Sequence, residues 1–266
     1  MSVLVAITRA PSARLAECEL SFLDREPIDV SLAREQHRAY QDALRAAGAC
    51  VIALPPLDTL PDATFVEDTA IVLDDLAVLA PMGAGSRRPE SAVMADELCR
   101  YREVRWLTAP ATLDGGDVLH LGRTLYVGQT PRTNAAATVQ LRAMLCPLGY
   151  TVVPVPVTRC LHLKSACGRL DDATALVNPD WVHPATFEGA RTVAVAPGEP
   201  WGANVVRVGE TVIVPANAPA TAARLSREGY RTATVDVSEL QKAEAGVSCM
   251  SLIFEAPERA VDGRCA

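Results

Sequence analysis

The chain has 266 residues, 49% hydrophobic but only 5% aromatic, enough for a sizeable core built mostly from Ala, Val and Leu. Its formal net charge of −7 excludes nucleic acid and anionic membranes as main partners, because both need a basic face. No run of about 18 apolar residues occurs, so no membrane-spanning helix is expected.

The first element, SVLVAITRA, reads as a strand rather than a signal peptide, since no basic segment precedes its apolar run. SLAREQHRAYQDALRAAG (31–48) spaces Leu32, Ala33, Ala39, Tyr40, Ala43, Leu44 and Ala47 as one helix face, and CVIALPP follows as a strand. TAIVLDDLAVLAP (69–81) alternates as a hairpin; PESAVMADELCRYRE is then helical and VRWLTAP extended. DVLHLGRTLYVG (117–128) is the next hairpin, with RTNAAATVQLRAMLCPLGY as helix and TVVPVPV as strand. RLDDATALVNP (169–179) is followed by a weaker, shorter helix after Asn178 and then TVAVAPG. NVVRVGETVIVPAN (204–217) leads through APATAARLSREGY to TATVDV. SLIFEAP (251–257) lacks a hairpin partner, which SVLVAITRA can supply. LDDL, LGRT and VGET are suited to tight turns.

The unit strand–strand–helix–strand thus recurs about every 40 to 50 residues, a period typical of repeat architectures. Such a unit cannot bury its apolar face alone, so neighbours pack side by side. Five copies, with the terminal strands closing the ring, predict an α/β fold: a five-bladed α/β propeller of ββαβ repeats with pseudo-fivefold symmetry. The whole chain, 1–266, is expected to form one catalytic domain.

The link from each third strand to the next hairpin occupies one place in the repeat. These links read LPDATFVEDT (60–69), TLDGGD (112–117), LHLKSAC (161–167), PWGAN (200–204) and GVSCMS (246–251). A rotational arrangement gathers them at one mouth, with Asp62, Glu67, Asp68, Asp114, Asp117, His162 and Cys249. On spacing alone Cys249 could be core filler, a metal ligand, half of a disulfide or a nucleophile. A thiolate attacks where a thiol does not, histidine moves protons near neutral pH, and a carboxylate orients it. Cys249, His162 and Asp114 suit those roles. The additional carboxylates hinder thiolate formation unless the substrate is cationic and planar, such as a guanidinium whose N–H groups they accept.

With these residues in place, the chain closely resembles the dimethylarginine dimethylaminohydrolases of the guanidino-group-modifying (pentein) superfamily. The markers are PDATFVEDTA (61–70), GAGSRRPE (83–90), LDGGDVL (113–119), VGQTPRTN (127–134), LHLKS (161–165) and GVSCMSLIF (246–254). The resemblance covers nearly the whole chain and implies the same five-bladed fold. It implies hydrolysis of Nω-methylated L-arginine to L-citrulline and methylamine or dimethylamine. Cys249 then matches the nucleophile, His162 the general acid and base, and Asp114 the acid that orients His162. Asp68, with Glu67 beside it, matches the guanidinium-binding carboxylate, Phe65 a pocket aromatic, and Asp62 a group near the α-amine. Arg87 and Arg132 match the pair that grips the α-carboxylate. Residues 18–23 match a lid. No cofactor or metal is implied. The implied protein is a cytoplasmic monomer or homodimer acting on a small guanidino molecule, with no nucleic-acid or membrane partner.

Blander readings set further expectations. The eight cysteines form no CxxC, which favours reduced thiols over a disulfide framework. Cys50, Cys99, Cys146, Cys160 and Cys167 are expected in the core, Cys18 exposed on the lid, and Cys265 as an exposed terminal thiol. His37 and His183 are expected as surface or capping residues and His120 within a hairpin strand. Arg88 is expected as a solvated helix-opening residue. Asp117 and Lys164 are expected as structural ion-pair partners, Gly115 and Gly116 as a tight bend, and Asn204 either at the mouth or satisfying backbone. Rival functions are an arginine-deiminase-like enzyme, which acts on arginine or another Nω-substituted guanidine, an agmatine hydrolase, a non-catalytic binder, and a metal site on Cys249 and His162. Arg87 and Arg132 favour a substrate with an α-carboxylate, which counts against agmatine.

Overall fold

The computed structural model describes residues 1–261 and 263–265. The first unit holds β1 (Ser2–Arg9), α1 (Val30–Ala46) and β2 (Cys50–Leu54), with β1 and β2 parallel. Asp29 starts α1 by accepting from the Ser31 and Leu32 N–H groups at 2.9 and 3.1 Å. The second unit holds β3 (Ala70–Val72), β4 (Leu76–Leu79), α2 (Arg88–Leu98) and β5 (Glu103–Trp106). The third holds β6 (Val118–Leu121), β7 (Thr124–Gln129), α3 (Ala135–Leu145) and β8 (Thr151–Pro156).

A four-residue helix, α4 (Leu163–Ala166), opens the fourth unit of β9 (Cys167–Arg169), β10 (Thr174–Val177) and β11 (Arg191–Ala194). Its first strand begins two residues before the predicted RLDDATALVNP, and the weak helix after Asn178 is only a 3₁₀ turn, Pro184–Phe187. The fifth unit holds β12 (Val206–Val208), β13 (Thr211–Pro215), α5 (Pro219–Arg227) and β14 (Arg231–Val235). Helix α6 (Ser238–Gln241) then precedes β15 (Leu252–Pro257).

The described residues form five three-stranded sheets, each an antiparallel pair followed by a parallel one. The first sheet takes its antiparallel partner from the far end of the chain, with β15 beside β1 and Leu252 opposite Ile7. The β6–β7 and β12–β13 hairpins turn on Gly122 and Gly209, both at φ +55°, a region open to glycine at little cost.

The core is a chain of apolar patches between neighbouring units. Leu44 of the first unit meets Ile213 of the fifth. Ile7 and Ile52 meet Leu79 and Met94 of the second. The second packs on the third through Val78 and Leu125, the third on the fourth through Tyr126 and Phe187, and the fourth on the fifth through Leu176 and Val214. The fifth unit therefore packs back on the first, as the predicted propeller requires. No helix among the described residues is long and apolar enough to cross a membrane.

Several cysteine and histidine expectations are corrected. Cys50 and Cys265 form a disulfide across a separation of 215 residues, tying the chain end to β2. Cys99 and Cys146 are exposed on helix ends, and Cys18 is fully buried. Cys160 and Cys167 are buried as expected, each thiol donating to a backbone carbonyl. His37 is 2% exposed, because its position on α1 faces the fold rather than water. His183 caps the 3₁₀ turn as expected, accepting from the Ala185 N–H, and Arg88 opens α2.

The disulfide makes a checkable statement. Aerobically purified protein, denatured without reductant, should show six thiols reactive to iodoacetamide, rising to eight after reduction; eight at the outset would contradict the pairing.

Candidate active site

All five links meet at one mouth. The first carries the 3₁₀ turn Val66–Thr69, the second the turn Gly115–Asp117, and the third places His162 at the residue that caps α4. The last link runs into β15 and holds Cys249, whose carbonyl accepts from the Glu67 N–H at 3.1 Å. Asn204, from the fourth link, donates to the Lys164 carbonyl at 2.9 Å and accepts from the Ser248 N–H at 2.9 Å. That resolves its role: it ties three links together.

Two helix starts aim the arginines. Arg87 directly precedes α2 and is 4% exposed. Arg132 lies two residues before Asn134, which caps α3 by accepting from the Ala137 N–H at 3.1 Å.

His162 lies between two carboxylates. Its Nε2 is 3.2 Å from Asp114 Oδ2, and its Nδ1 is 3.6 Å from Asp68 Oδ1. Burial opposes the imidazolium, but Asp68, Asp117 and Asp114 outweigh it and raise the pKa to about 9. His162 is therefore a proton donor at neutral pH. Asp114 is fully buried, accepts from the Gly83 N–H at 2.9 Å, and lies 3.5 Å from Arg132 Nη1. The ion pair expected of Asp117 is not formed among the described residues; its carboxylate accepts instead from the Leu163 N–H at 2.9 Å and the Thr130 hydroxyl at 2.7 Å. Burial pushes its pKa up to about 6.

Asp68 accepts from Arg87 Nη1 at 2.7 Å and from the Gly116 N–H at 3.1 Å. Burial works against its charge, but His162 and Arg87 prevail and hold the carboxyl below its usual range. Arg87 also donates to Glu90 at 2.9 and 3.1 Å and to the Phe65 carbonyl at 3.2 Å. Arg132 differs: Nη2 donates to Ser21 Oγ at 3.2 Å, while buried Nη1 finds no hydrogen-bond partner among the described residues. Asp62 accepts from the Glu19 N–H at 3.2 Å, which draws residues 18–23 against the mouth. Phe65, 3% exposed, belongs to the apolar patch on which Cys249 packs.

Cys249 keeps some solvent contact, but burial of its thiol, followed by Glu67 and Asp68, pushes its pKa up to about 12. The Gly246 N–H donates to its sulfur at 3.3 Å. Glu67 itself accepts from Lys164 at 2.7 Å and from the Ser248 hydroxyl at 2.8 Å, one bond to each oxygen. Lys164 thus is the expected structural ion-pair partner. Glu67, Lys164 and Ser248 also border a cavity of about 600 Å³ lined by the first strands of the sheets, including Ile71, His120 and Arg207. Cys249, His162, Asp68 and Asp114 do not line that cavity.

Asp68, Asp114 and His162 offer ligand atoms within 4.8 Å of one another, a spacing a metal ion could use. Arg87 and Arg132 already sit against both carboxylates, at 2.7 and 3.5 Å, and oppose a further cation there.

Sequence reasoning missed Glu90, Ser248 and Glu244. Glu90 follows Arg87 by three residues, the spacing of a helical ion pair, and was open to detection. Ser248 adjoins the cysteine but carries no pattern of its own. Gly115 and Gly116 form the expected tight bend, the turn Gly115–Asp117, and are needed for close approach as well. A Cβ on Gly116 would lie 2.6 Å from both Asp68 Oδ1 and His162 Nδ1, and one on Gly115 only 2.1 Å from the Glu67 carbonyl.

Two outcomes follow. Gly116→Ala should displace Asp68 or His162 and lower kcat at least about tenfold while leaving the far-ultraviolet circular dichroism unchanged. Alkylation of Cys249 by iodoacetamide should be slow at pH 7 and rise roughly tenfold per pH unit towards pH 10, since only the thiolate reacts; a plateau near neutral pH would contradict the raised pKa.

No family model matches the chain. It is 42% identical to N(G),N(G)-dimethylarginine dimethylaminohydrolase of Streptomyces coelicolor, over 93% of this chain and 95% of that protein. The Pseudomonas aeruginosa protein of the same name is 34% identical, over 93% of this chain and 98% of its own. A crystal structure of the Pseudomonas enzyme, a cysteine-to-serine mutant complexed with citrulline, superposes with a TM-score of 0.90 at 33% identity, covering 95% of this chain and 100% of that one. With its five-sheet fold and this degree of identity over nearly its whole length, the chain belongs to the dimethylarginine dimethylaminohydrolase family.

Proposed function

We propose that the chain hydrolyses Nω-methylated L-arginine, asymmetric dimethylarginine and monomethylarginine, to L-citrulline and dimethylamine or methylamine. In this reading residues 1–266 act as one cytoplasmic catalytic domain, as a monomer or homodimer, without metal or organic cofactor. The observation that supports it is a thiol and a protonated imidazole that share one carboxylate, Asp68, with Glu67 adding to the field at the thiol and Asp114 holding the imidazole, in a member of this family.

Substrate binding uses the groups already described. Arg132 Nη1, which has no hydrogen-bond partner among the described residues, takes the α-carboxylate, with the Arg87 guanidinium adding charge while it fixes Asp68. Asp62 faces the α-amine, Phe65 lines the stem, and Asp68 and Glu67 accept the guanidinium N–H groups. The bound cation offsets the two carboxylates that raise the Cys249 pKa, so the thiol gives up its proton to solvent, with which it keeps some contact, in the complex rather than before it; the released amine takes up that proton equivalent at the end of the cycle.

Sulfur then attacks the guanidinium carbon. His162, held protonated and oriented by Asp114, delivers its proton to the departing nitrogen as the C–N bond breaks. The methylated amine leaves and a covalent thiouronium remains on Cys249. Neutral His162 takes a proton from water, whose oxygen adds to the same carbon. The C–S bond breaks, citrulline forms, and the proton returns to sulfur. Two moderate steps replace one difficult hydrolysis.

A panel of guanidines tests this. Citrulline release from monomethyl- and dimethylarginine should exceed that from arginine or agmatine, be abolished by Cys249→Ser, fall about 10²-fold or more in Asp114→Asn, and survive strong chelation. Arginine turned over fastest would transfer the chain to an arginine-deiminase-type reaction.

A further inference from the structure

We propose that Glu244 is a positioning residue that latches residues 18–23 over the mouth and couples their closure to the segment carrying Cys249. Glu244 is 8% exposed and, among the described residues, is the one non-glycine residue in the left-handed region, at φ +59°. That conformation has a cost for a residue with a side chain. Here it aims the carboxylate at three successive backbone donors. The N–H groups of Ser21 and Leu23 reach it at 3.0 and 2.6 Å, and that of Phe22 also donates to it. Consecutive N–H groups form a concave anion site, and here the anion is the protein's own side chain. Among the described residues no cation forms an ion pair with it, and these backbone groups are its hydrogen-bond donors.

The coupling lies in the next residues. Two positions along, the Gly246 N–H donates to Cys249 Sγ at 3.3 Å. Asn204 clamps the Ser248 N–H at 2.9 Å. A Cβ on Gly246 would fall 2.2 Å from Asn204 Oδ1, so Asn204 packs directly against the backbone of this segment. One rigid stretch, 244–249, therefore holds the lid at one end and the nucleophile at the other. The lid in turn touches the substrate-binding groups: Arg132 donates to Ser21 Oγ at 3.2 Å, and Asp62 accepts from the Glu19 N–H at 3.2 Å. A loosened latch leaves the carboxylate and amine contacts incomplete, an effect on binding before chemistry.

The first test needs no activity. Hydrogen–deuterium exchange of the wild-type protein should show the Ser21, Phe22 and Leu23 amides exchanging at least about tenfold more slowly than those of Asp24, Arg25 and Glu26, which donate no hydrogen bond among the described residues. Equal exchange overturns the latch. In Glu244→Ala, protection at 21–23 should disappear. KM should rise about tenfold or more while kcat falls less than threefold, and Glu244→Gln should lie between, keeping an acceptor without the charge. Retained protection, or an unchanged KM with protection lost, overturns the proposal. The kinetic part rests on the proposed reaction. If no guanidine is hydrolysed, that reading fails, while the exchange measurement still decides the latch.

Discussion

One buried carboxylate, that of Asp68, holds the mouth of the ring together. It is 3% exposed, yet receives Arg87 at 2.7 Å and the Gly116 N–H at 3.1 Å, and faces the His162 ring at 3.6 Å. An ionised carboxylate removed from water costs several kcal/mol unless charges and donors replace its solvent. Those replacements come from the start of α2, the second link and the third link. The charge is tolerable only once several units have closed, and the closed ring is what brings the catalytic groups together.

The repeat explains how so short a set of links carries so much chemistry. Each unit ends its parallel strand at the same place, so each link enters the mouth from an equivalent direction. The slot is filled differently each time: by paired carboxylates, by a glycine pair that lets two side chains approach, by a histidine capping a short helix, by a bridging asparagine, and by the thiol. Apolar patches between units supply the stability, which leaves the links free to be polar.

The electrostatics set this site apart from one built on a preformed thiolate–imidazolium pair. Cys249 and His162 are both shifted upwards, for opposite reasons: burial and nearby carboxylates disfavour the thiolate, and carboxylates favour the imidazolium. In the proposed reaction the nucleophile therefore rests as a protonated thiol, and the acid already carries its proton. On the proposed function, an acidic pocket that penalises its own nucleophile becomes effective when the cationic substrate enters, which joins activation to recognition.

The sequence alone determined the repeat. Apolar alternation, glycine turns and one long helix face mark where each unit folds, and SLIFEAP without a partner already implied that β15 pairs with β1. It also determined which residue types occupy the links, because a repeat assigns them one shared place. Only the tertiary structure decided how those residues pair. Arg87 binds Asp68 and Glu90 while Arg132 Nη1 lies 3.5 Å from Asp114 without a hydrogen-bond partner among the described residues, and Gly115 and Gly116 are demanded by atoms that approach from 48 and 46 residues away in sequence. Cys50 and Cys265 lie 215 positions apart but 5.1 Å between Cα atoms, a pairing no spacing could announce. Periodicity is a property of neighbours along the chain. Ion pairs, close contacts and disulfides depend on distances that exist only after the ring has closed.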